Sequence, residues 1–375
     1  MPDDFIIVHL SYCIMRLSSL GDVLLATPLV RMLRMRYPES RIDVVVDKRF
    51  ADVWRHNPNI TTLIELDRDA GLNGILAAKH TARQVLLNET GIKKYDVLID
   101  LQRNLRSMIF RFRLGTCITK VKKFRLQKIG LTLFKRGKDA EPVLIPMRYA
   151  AAAKACWVVG LTDYGYGLEF WLPEEVNEEL YPPINYYVNS IFDILNERAP
   201  RIAFAPGARY FTKRWPAEKF VELGTMLQRE YHAAIVLIGG PDDVEICSEI
   251  EAKLPYPSEN HAGASLFDSV RIIDGCDFAI TNDSAAMHLA AARQTPVVAI
   301  FGSTVREFGF EPFRAPHRIA EVELSCRPCS HIGRSSCPKG HFNCMNLVSA
   351  DSVLELICSF NTTFPGRKNR SRRKS

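Results

Sequence analysis

The chain has 375 residues, 47% hydrophobic and 24% charged, with a formal net charge of +7, which is enough for about two domains with full cores and excludes fibrous and disordered classes. No uncharged apolar run approaches the ~18 residues of a membrane span. The N-terminus opens on two acids, which predicts no cleaved signal, and the ten cysteines are expected to be thiols of a reducing compartment.

The charge is unevenly placed. Residues 103–138 hold twelve Lys or Arg and no acid, residues 366–375 hold six more, and the remainder carries 31 basic against 42 acidic residues. An acidic body with one basic internal segment and a basic tail calls for an anionic partner at a defined place.

In chain order, the stretch before Arg16 reads as a first strand, with residues 1–7 set apart as an extension. Val23 to Tyr37 reads as one helix with Leu25, Leu29 and Leu33 on its apolar face and Arg31, Arg34 and Arg36 off it. Arg41–Asp47 and Tyr95–Leu101 are buried strands rich in Val, Ile and Leu. A second series begins near residue 200: strand Arg201–Ala205, helix Ala217–Tyr231, strand Ala233–Gly239, helix Asp243–Leu254, helix Ser265–Cys276, strand Asp277–Thr281, helix Ser284–Arg293 and strand Pro296–Phe301. This alternation predicts an α/β fold of two doubly wound, Rossmann-like domains facing across a cleft, with ligands at the carboxyl ends of the strands. The turn formers and acids of residues 172–200 mark the boundary. The expected division is 1–185, 186–345, a C-terminal helix over 346–364 and a basic, disordered tail over 365–375.

Five constellations could carry chemistry. In Arg16-LSSLGD-Val23, Gly21 permits a tight turn or a close ligand approach. Asp22 then stands at a helix start, either as its cap or as a base for an incoming hydroxyl. In Ala205-PGARYFTKRWP-Ala217, Thr212 and Lys213 beside a helix start suit a phosphate, the other reading being solvated loop cations. In Thr281-NDSAAMHLA-Ala290, Asp283 and Ser284 sit where a strand meets a helix, and His288 shares a face with Ser284; the bland reading is a capping pair with a helical histidine. Gly239-Gly240-Pro241 adds a ligand-permissive turn but no dinucleotide fingerprint. Cys326, Cys329, Cys337 and Cys344, with His331 and His341 nearby, are read either as a structural zinc site or as thiols of a labile loop. The basic segment interleaves Phe110, Phe112, Phe124 and Phe134 with its cations, which suits a phosphorylated lipid head group or an anionic membrane surface. No RNA- or DNA-binding module surrounds it, and no nucleic-acid partner is expected.

These motifs resemble glycosyltransferase family 9, the ADP-heptose:lipopolysaccharide heptosyltransferases, through RLSSLGDVLLATP, IDLQRNLRS, PGARYFTKRWP and TNDSAAMHLAAA. The resemblance spans residues 14–358. It implies a GT-B fold and inverting transfer of heptose from ADP-heptose, with no cofactor required, to a phosphorylated lipid acceptor of the lipopolysaccharide inner core. It implies a cytoplasmic enzyme, peripheral on the inner membrane. By position it implies Asp22 as general base and Thr212 and Lys213 on the donor diphosphate, with Lys213 also countering leaving-group charge. Asp283, Ser284, Ala285 and His288 fall at the donor-binding turn, and Gly239, Glu245 and Ala264 toward the donor's nucleoside. Gly21, Arg103, Arg106, Lys122 and Lys123 would face the acceptor. Ala285 stands where the family has glycine. The alternatives are a transferase using another nucleotide sugar, and a non-catalytic binder of anionic lipid or nucleic acid.

Overall fold

A computed structural model describes residues 10–135, 141–154, 158, 160–175 and 199–360. The chain divides into two compact units, residues 1–123 with 143–180, and residues 124–142 with 181–375. The main division lies inside the stretch that the turn formers marked. The basic segment is itself divided: residues 103–123 belong to the first unit and 124–138 to the second, where the sequence reading had placed all of it in the first.

The first unit is built on a five-stranded parallel sheet in the order β3-β2-β1-β4-β5. Its strands are β1 (Ser11–Met15), β2 (Arg41–Asp47), β3 (Thr62–Leu66), β4 (Tyr95–Asp100) and β5 (Gly115–Lys120). Its helices are α1 (Leu20–Leu24), α2 (Thr27–Arg36), α3 (Gly71–Thr90), α4 (Leu105–Arg111) and α6 (Ile145–Ala153), α5 (Arg125–Phe134) falling in the second unit. β1 pairs with β2 on one side and β4 on the other, Met15 facing Val45 and Asp100. Being central, β1 is wholly buried, as expected of a strand covered on both faces. Cys13, Met15, Val45 and Leu98 meet Leu86 of α3 and Phe110 of α4 in one core.

The second unit has a six-stranded parallel sheet in the order β11-β10-β9-β6-β7-β8. These strands are β6 (Arg201–Ala205), β7 (Ala234–Gly239), β8 (Glu259–Ala262), β9 (Phe278–Asn282), β10 (Val297–Ile300) and β11 (His317–Ala320). Its further helices are α7 (Ala217–Tyr231), α8 (Val244–Lys253), α9 (Leu266–Asp274), α10 (Ala285–Ala292), α11 (Asn343–Asn346) and α12 (Ala350–Cys358). Phe204, Phe220, Leu237, Ile280 and Ile300 form its core with Val353 and Ile357 of α12. The C-terminal helix is thereby part of this unit's packing.

Three local expectations change. The single helix read over 23–37 is two, α1 and α2, with Pro28 in the first turn of the second, where a missing N–H costs nothing. Arg31, read as a surface cation, is buried and paired with Glu169 at 2.7 Å. Phe110, read among the ligand-facing aromatics, is core. Residues 1–7 and the basic tail lie outside the described residues.

Leu98 is fully buried in β4, whereas Leu72 of α3 is exposed. Leu98→Ala is expected to cost about 2–5 kcal/mol by transfer and cavity terms, and Leu72→Ala within about 0.5 kcal/mol, as read by urea unfolding.

Candidate active site

In each sheet the strand order reverses once, between β1 and β4 and between β6 and β9. At such a point the loops leaving the two strands depart to opposite faces and open a crevice at the carboxyl ends, the usual ligand position in an open α/β sheet. The sequence motifs occupy those loops.

At the β1/β4 point, Asp22 lies in the first turn of α1. Its Oδ2 accepts hydrogen bonds from Ser19 N (3.2 Å) and Ser19 Oγ (3.0 Å). Its Oδ1 faces the Arg16 guanidinium at 2.7 Å and the Tyr149 hydroxyl of α6 at 3.5 Å. Burial by itself would raise the Asp22 carboxyl. The adjacent Arg16 charge and the hydrogen bonds from Arg16 and Ser19 outweigh it and hold the group below the ordinary carboxylate range. Burial raises the Tyr149 phenol, and the Asp22 charge adds to that. At neutral pH the site therefore presents an ionised carboxylate beside a protonated phenol, with 21% of the carboxylate side chain open to solvent.

The second motif of this unit holds the first. Gln102 Oε1, in the loop after β4, accepts from Leu17 N (3.0 Å) and Ser18 N (3.3 Å), and Arg16 Nη1 donates to Leu101 O (2.7 Å). Asp100 in turn fixes that loop, accepting from Gln102 N, Arg103 N and Ser107 Oγ. Gly21 is buried in the first turn of α1 and its φ is not positive, so the left-handed freedom expected of a turn glycine is not used. Of the basic residues in this unit, Arg103 donates to Val121 O at 3.1 Å, Arg106 and Lys122 are exposed, and Lys123 is half-buried.

At the β6/β9 point, Lys213 Nζ pairs with Asp283 Oδ2 at 2.6 Å, and Thr304 Oγ1 donates to the same oxygen at 2.6 Å. Ser284 is the N-cap of α10, and Ala285 is its first residue, so the ammonium lies beside the free amides of a helix start. A cation and helix-terminal N–H groups together can hold phosphate oxygens. Asn282 ties the two motifs together, its Oδ1 accepting from Trp215 N (3.0 Å) and its Nδ2 donating to Pro206 O (2.7 Å). Thr212, expected to offer its hydroxyl to the diphosphate, is buried; its Oγ1 accepts from Arg334 N (2.8 Å) and lies 2.9 Å from Ser303 Oγ. Thr212 therefore anchors the turn that carries Lys213. His288 is also buried, on the side of α10 that packs into the unit.

Gly239, Glu245 and Ala264 gather around the ends of β7 and β8. Gly263 (φ +84°) donates its N–H to Gly239 O at 2.9 Å, which brings Ala264 beside the end of β7, and Glu245 is exposed in the first turn of α8. The sequence reading missed Asp243 here. A Cβ on Gly207 would stand 2.2 Å from the Asp243 carboxyl, and one on Gly239 2.6 Å from the Asp243 Cβ. The two glycines leave the space this side chain fills. Burial pushes its carboxyl up, opposed by the Gly240 N–H and the Arg214 charge.

The four cysteines are neighbours, the Cys326, Cys329 and Cys337 charges all acting on Cys344, but they are not arranged as the ligand set that the zinc reading allowed. Among the described residues no group of three or more His, Cys, Asp or Glu is placed to hold a metal ion. Burial, and after it the neighbouring cysteines, pushes the Cys344 thiol up to about 11, and burial raises that of Cys329. The work of this loop falls to Arg327, which donates to Gly302 O (2.5 Å), Phe301 O (3.0 Å) and Thr304 O (3.0 Å) and pairs with Glu321 at 2.7 Å. It thereby sets the turn from which Ser303 and Thr304 reach Thr212 and Asp283. Among the described residues eight cysteines are free and Cys117 is disulfide-bonded, against the expectation of thiols throughout.

Residues 84–339 match the family model of glycosyltransferase family 9 (heptosyltransferase). The chain belongs to that family. The lipopolysaccharide heptosyltransferase 2 of Escherichia coli K12 is 29% identical over 306 residues, 78% of this chain and 82% of the relative. A family 9 glycosyl transferase structure from Veillonella parvula aligns with a TM-score of 0.71 at 22% identity, covering 94% of this chain and 97% of that one. The structure of the E. coli ADP-heptose lps heptosyltransferase II aligns with a TM-score of 0.61 at 22% identity, covering 93% and 98%. The protein is thus a glycosyltransferase, its two doubly wound units those of the GT-B fold. The family match starts after the Asp22 motif and includes the Lys213 and Asp283 turns.

Because the folded Asp22 carboxyl lies below its unfolded value of about 3.9, its pairing contributes stability that is full above about pH 4 and lost as pH falls through the folded value. Asp22→Asn should unfold at lower denaturant than wild type at pH 7, with the difference shrinking below about pH 4. A gap that stayed constant from pH 7 to pH 3 would contradict this pairing.

Proposed function

We propose that this family member transfers heptose from ADP-heptose to a phosphorylated, lipid-linked acceptor of the lipopolysaccharide inner core, with inversion at the anomeric carbon. The reading is carried by one observation: Lys213 sits beside the N-terminus of α10 at the β6/β9 switch point. There, cation and amides can meet a nucleotide diphosphate and the charge that grows on it as the sugar leaves. Asp283 holds the ammonium in place until the donor arrives and then shares it. Asp243, Gly239, Glu245 and Ala264 frame the position assigned to the nucleoside.

Asp22 takes the proton of the attacking acceptor hydroxyl. Arg16 keeps it ionised, so its contribution comes from position more than from basicity. The reaction requires Asp22 and Lys213 to serve one substrate pair, and exclusion of water at that moment protects the donor from hydrolysis. The reading routes the diphosphate charge through Lys213 and α10 and invokes no cofactor. Arg106, Lys122 and Lys123, with no acid among residues 103–138, suit the acceptor's phosphates. No helix among the described residues is long and apolar enough to cross a membrane, and a lipid-linked acceptor places the enzyme peripherally on the cytoplasmic face of the inner membrane.

Mass spectrometry of reactions offered ADP-heptose, UDP-sugars and GDP-sugars tests the donor. Product should form with ADP-heptose, and product from a UDP- or GDP-sugar alone would favour a different nucleotide-sugar transferase. Lys213→Ala should weaken ADP by about 1.5–3 kcal/mol, the range for a charge-assisted contact, and slow turnover. Unchanged ADP affinity by calorimetry, with unchanged turnover, would remove Lys213 from the donor site.

A further inference from the structure

α5 is turned the wrong way for a helix on a water-facing surface. Its single fully buried residue is Leu131, which packs on Val305 and Phe308 of the second unit. Lys135, one turn on, donates from Nζ to Thr132 O (2.8 Å), Cys326 O (3.0 Å) and Pro328 O. Lys128, one turn back, stands near enough to His331 that its charge adds to burial in lowering that imidazole's pKa. The helix therefore lays its Lys128–Leu131–Lys135 side on the protein. At about 100° per residue, Leu126, Ile129 and Leu133 fall together on the opposite side. They are 84%, 45% and 69% exposed. Surface helices usually bury their apolar stripe; this one buries Leu131 and leaves Leu126, Ile129 and Leu133 exposed.

The charges around the stripe identify what covers it. Lys120, Lys122, Lys123 and Arg125 precede or begin α5, and no carboxylate lies anywhere from residue 103 to 138. Large exposed apolar side chains in a stretch of chain with many cations and no carboxylate match the boundary between phosphate head groups and acyl chains. Stacking α5 on the α5 of a second copy would set two cation-rich segments against each other.

We infer that α5 inserts into the head-group region of an anionic bilayer, with Leu126, Ile129 and Leu133 among the upper acyl carbons and the neighbouring cations on phosphates. The inference rests on the membrane-bound part of the proposed function. It adds that the contact is apolar as well as electrostatic, and that it belongs to the unit that carries Lys213.

The test is flotation of the full chain with phosphatidylethanolamine–phosphatidylglycerol vesicles and with phosphatidylcholine vesicles, at low salt and at about 0.5 M salt, where exposed charges are screened within roughly 5 Å. Wild type should bind the anionic vesicles and keep a salt-resistant fraction. A Leu126→Gln, Ile129→Gln, Leu133→Gln variant should lose that fraction by at least ~10-fold in partition coefficient, with thermal midpoint and ADP affinity unchanged, since the three side chains are exposed. A variant that matches wild type at high salt overturns the insertion. Wild-type binding that salt removes entirely also overturns it but leaves an electrostatic membrane contact standing. Wild type that ignores both vesicles overturns the membrane-bound reading itself. If the variant changes only the oligomeric state in sedimentation, a second copy covers α5 and the inference is wrong.

Discussion

A parallel strand can be followed by its neighbour only through a crossover, and a sheet wound in both directions must have one place where the crossovers diverge. Both sheets of this protein obey that constraint, between β1 and β4 and between β6 and β9. Each reversal leaves a crevice at the carboxyl ends of buried strands. Side chains placed there are held by a rigid base and still meet solvent. Asp22 and Lys213 hold those two positions.

Both residues are met by an opposite charge at close range, Arg16 at 2.7 Å and Asp283 at 2.6 Å, and the pairings have different consequences. Arg16 stabilises the carboxylate that a proton acceptor needs, at the expense of basicity. In the proposed reaction Asp283 neutralises the cation that an incoming diphosphate would recruit, so that donor binding would exchange or share one anion for another. Each pair is backed by neutral hydrogen bonds from a second motif, Gln102 behind Arg16 and Asn282 behind Lys213. Arg327 adds a third layer behind Thr304. The order of these layers explains why distant stretches of sequence meet within each unit.

Much of this was legible before the structure. The strands over 41–47, 95–100 and 201–205 carry the short apolar runs Val44–Val46, Val97–Ile99 and Ile202–Ala205, as expected of a sheet covered on both faces. The loops that follow such strands named Asp22, Lys213 and Asp283. Other features left no such trace. Thr212 looked like a phosphate ligand because its residue type and its neighbour Lys213 suit one, and only its burial against Ser303 and Arg334 gives it a different task. Arg31 looked like a surface cation until Glu169, far along the chain, met it. Tyr149 carries no motif at all. Gln102 and Arg16 were inside quoted motifs but had no assigned role, because the bond between their loops is a tertiary fact. The division of the basic segment was hidden for the same reason. Its charge reads continuously through Lys123, while packing on Val305 and Phe308 takes α5 to the other unit.

The central claim is a division of labour, with the donor bound by the second unit and the acceptor hydroxyl activated by the first. The most direct measurement is ADP affinity by calorimetry alongside the single-turnover rate with ADP-heptose and lipid acceptor, on Asp22→Asn and wild type at neutral pH. The account predicts ADP affinity within about twofold of wild type and a rate at least ~10²-fold lower, the contribution typical of a positioned base. A rate near wild type, or an ADP affinity that falls in step with the rate, would contradict it.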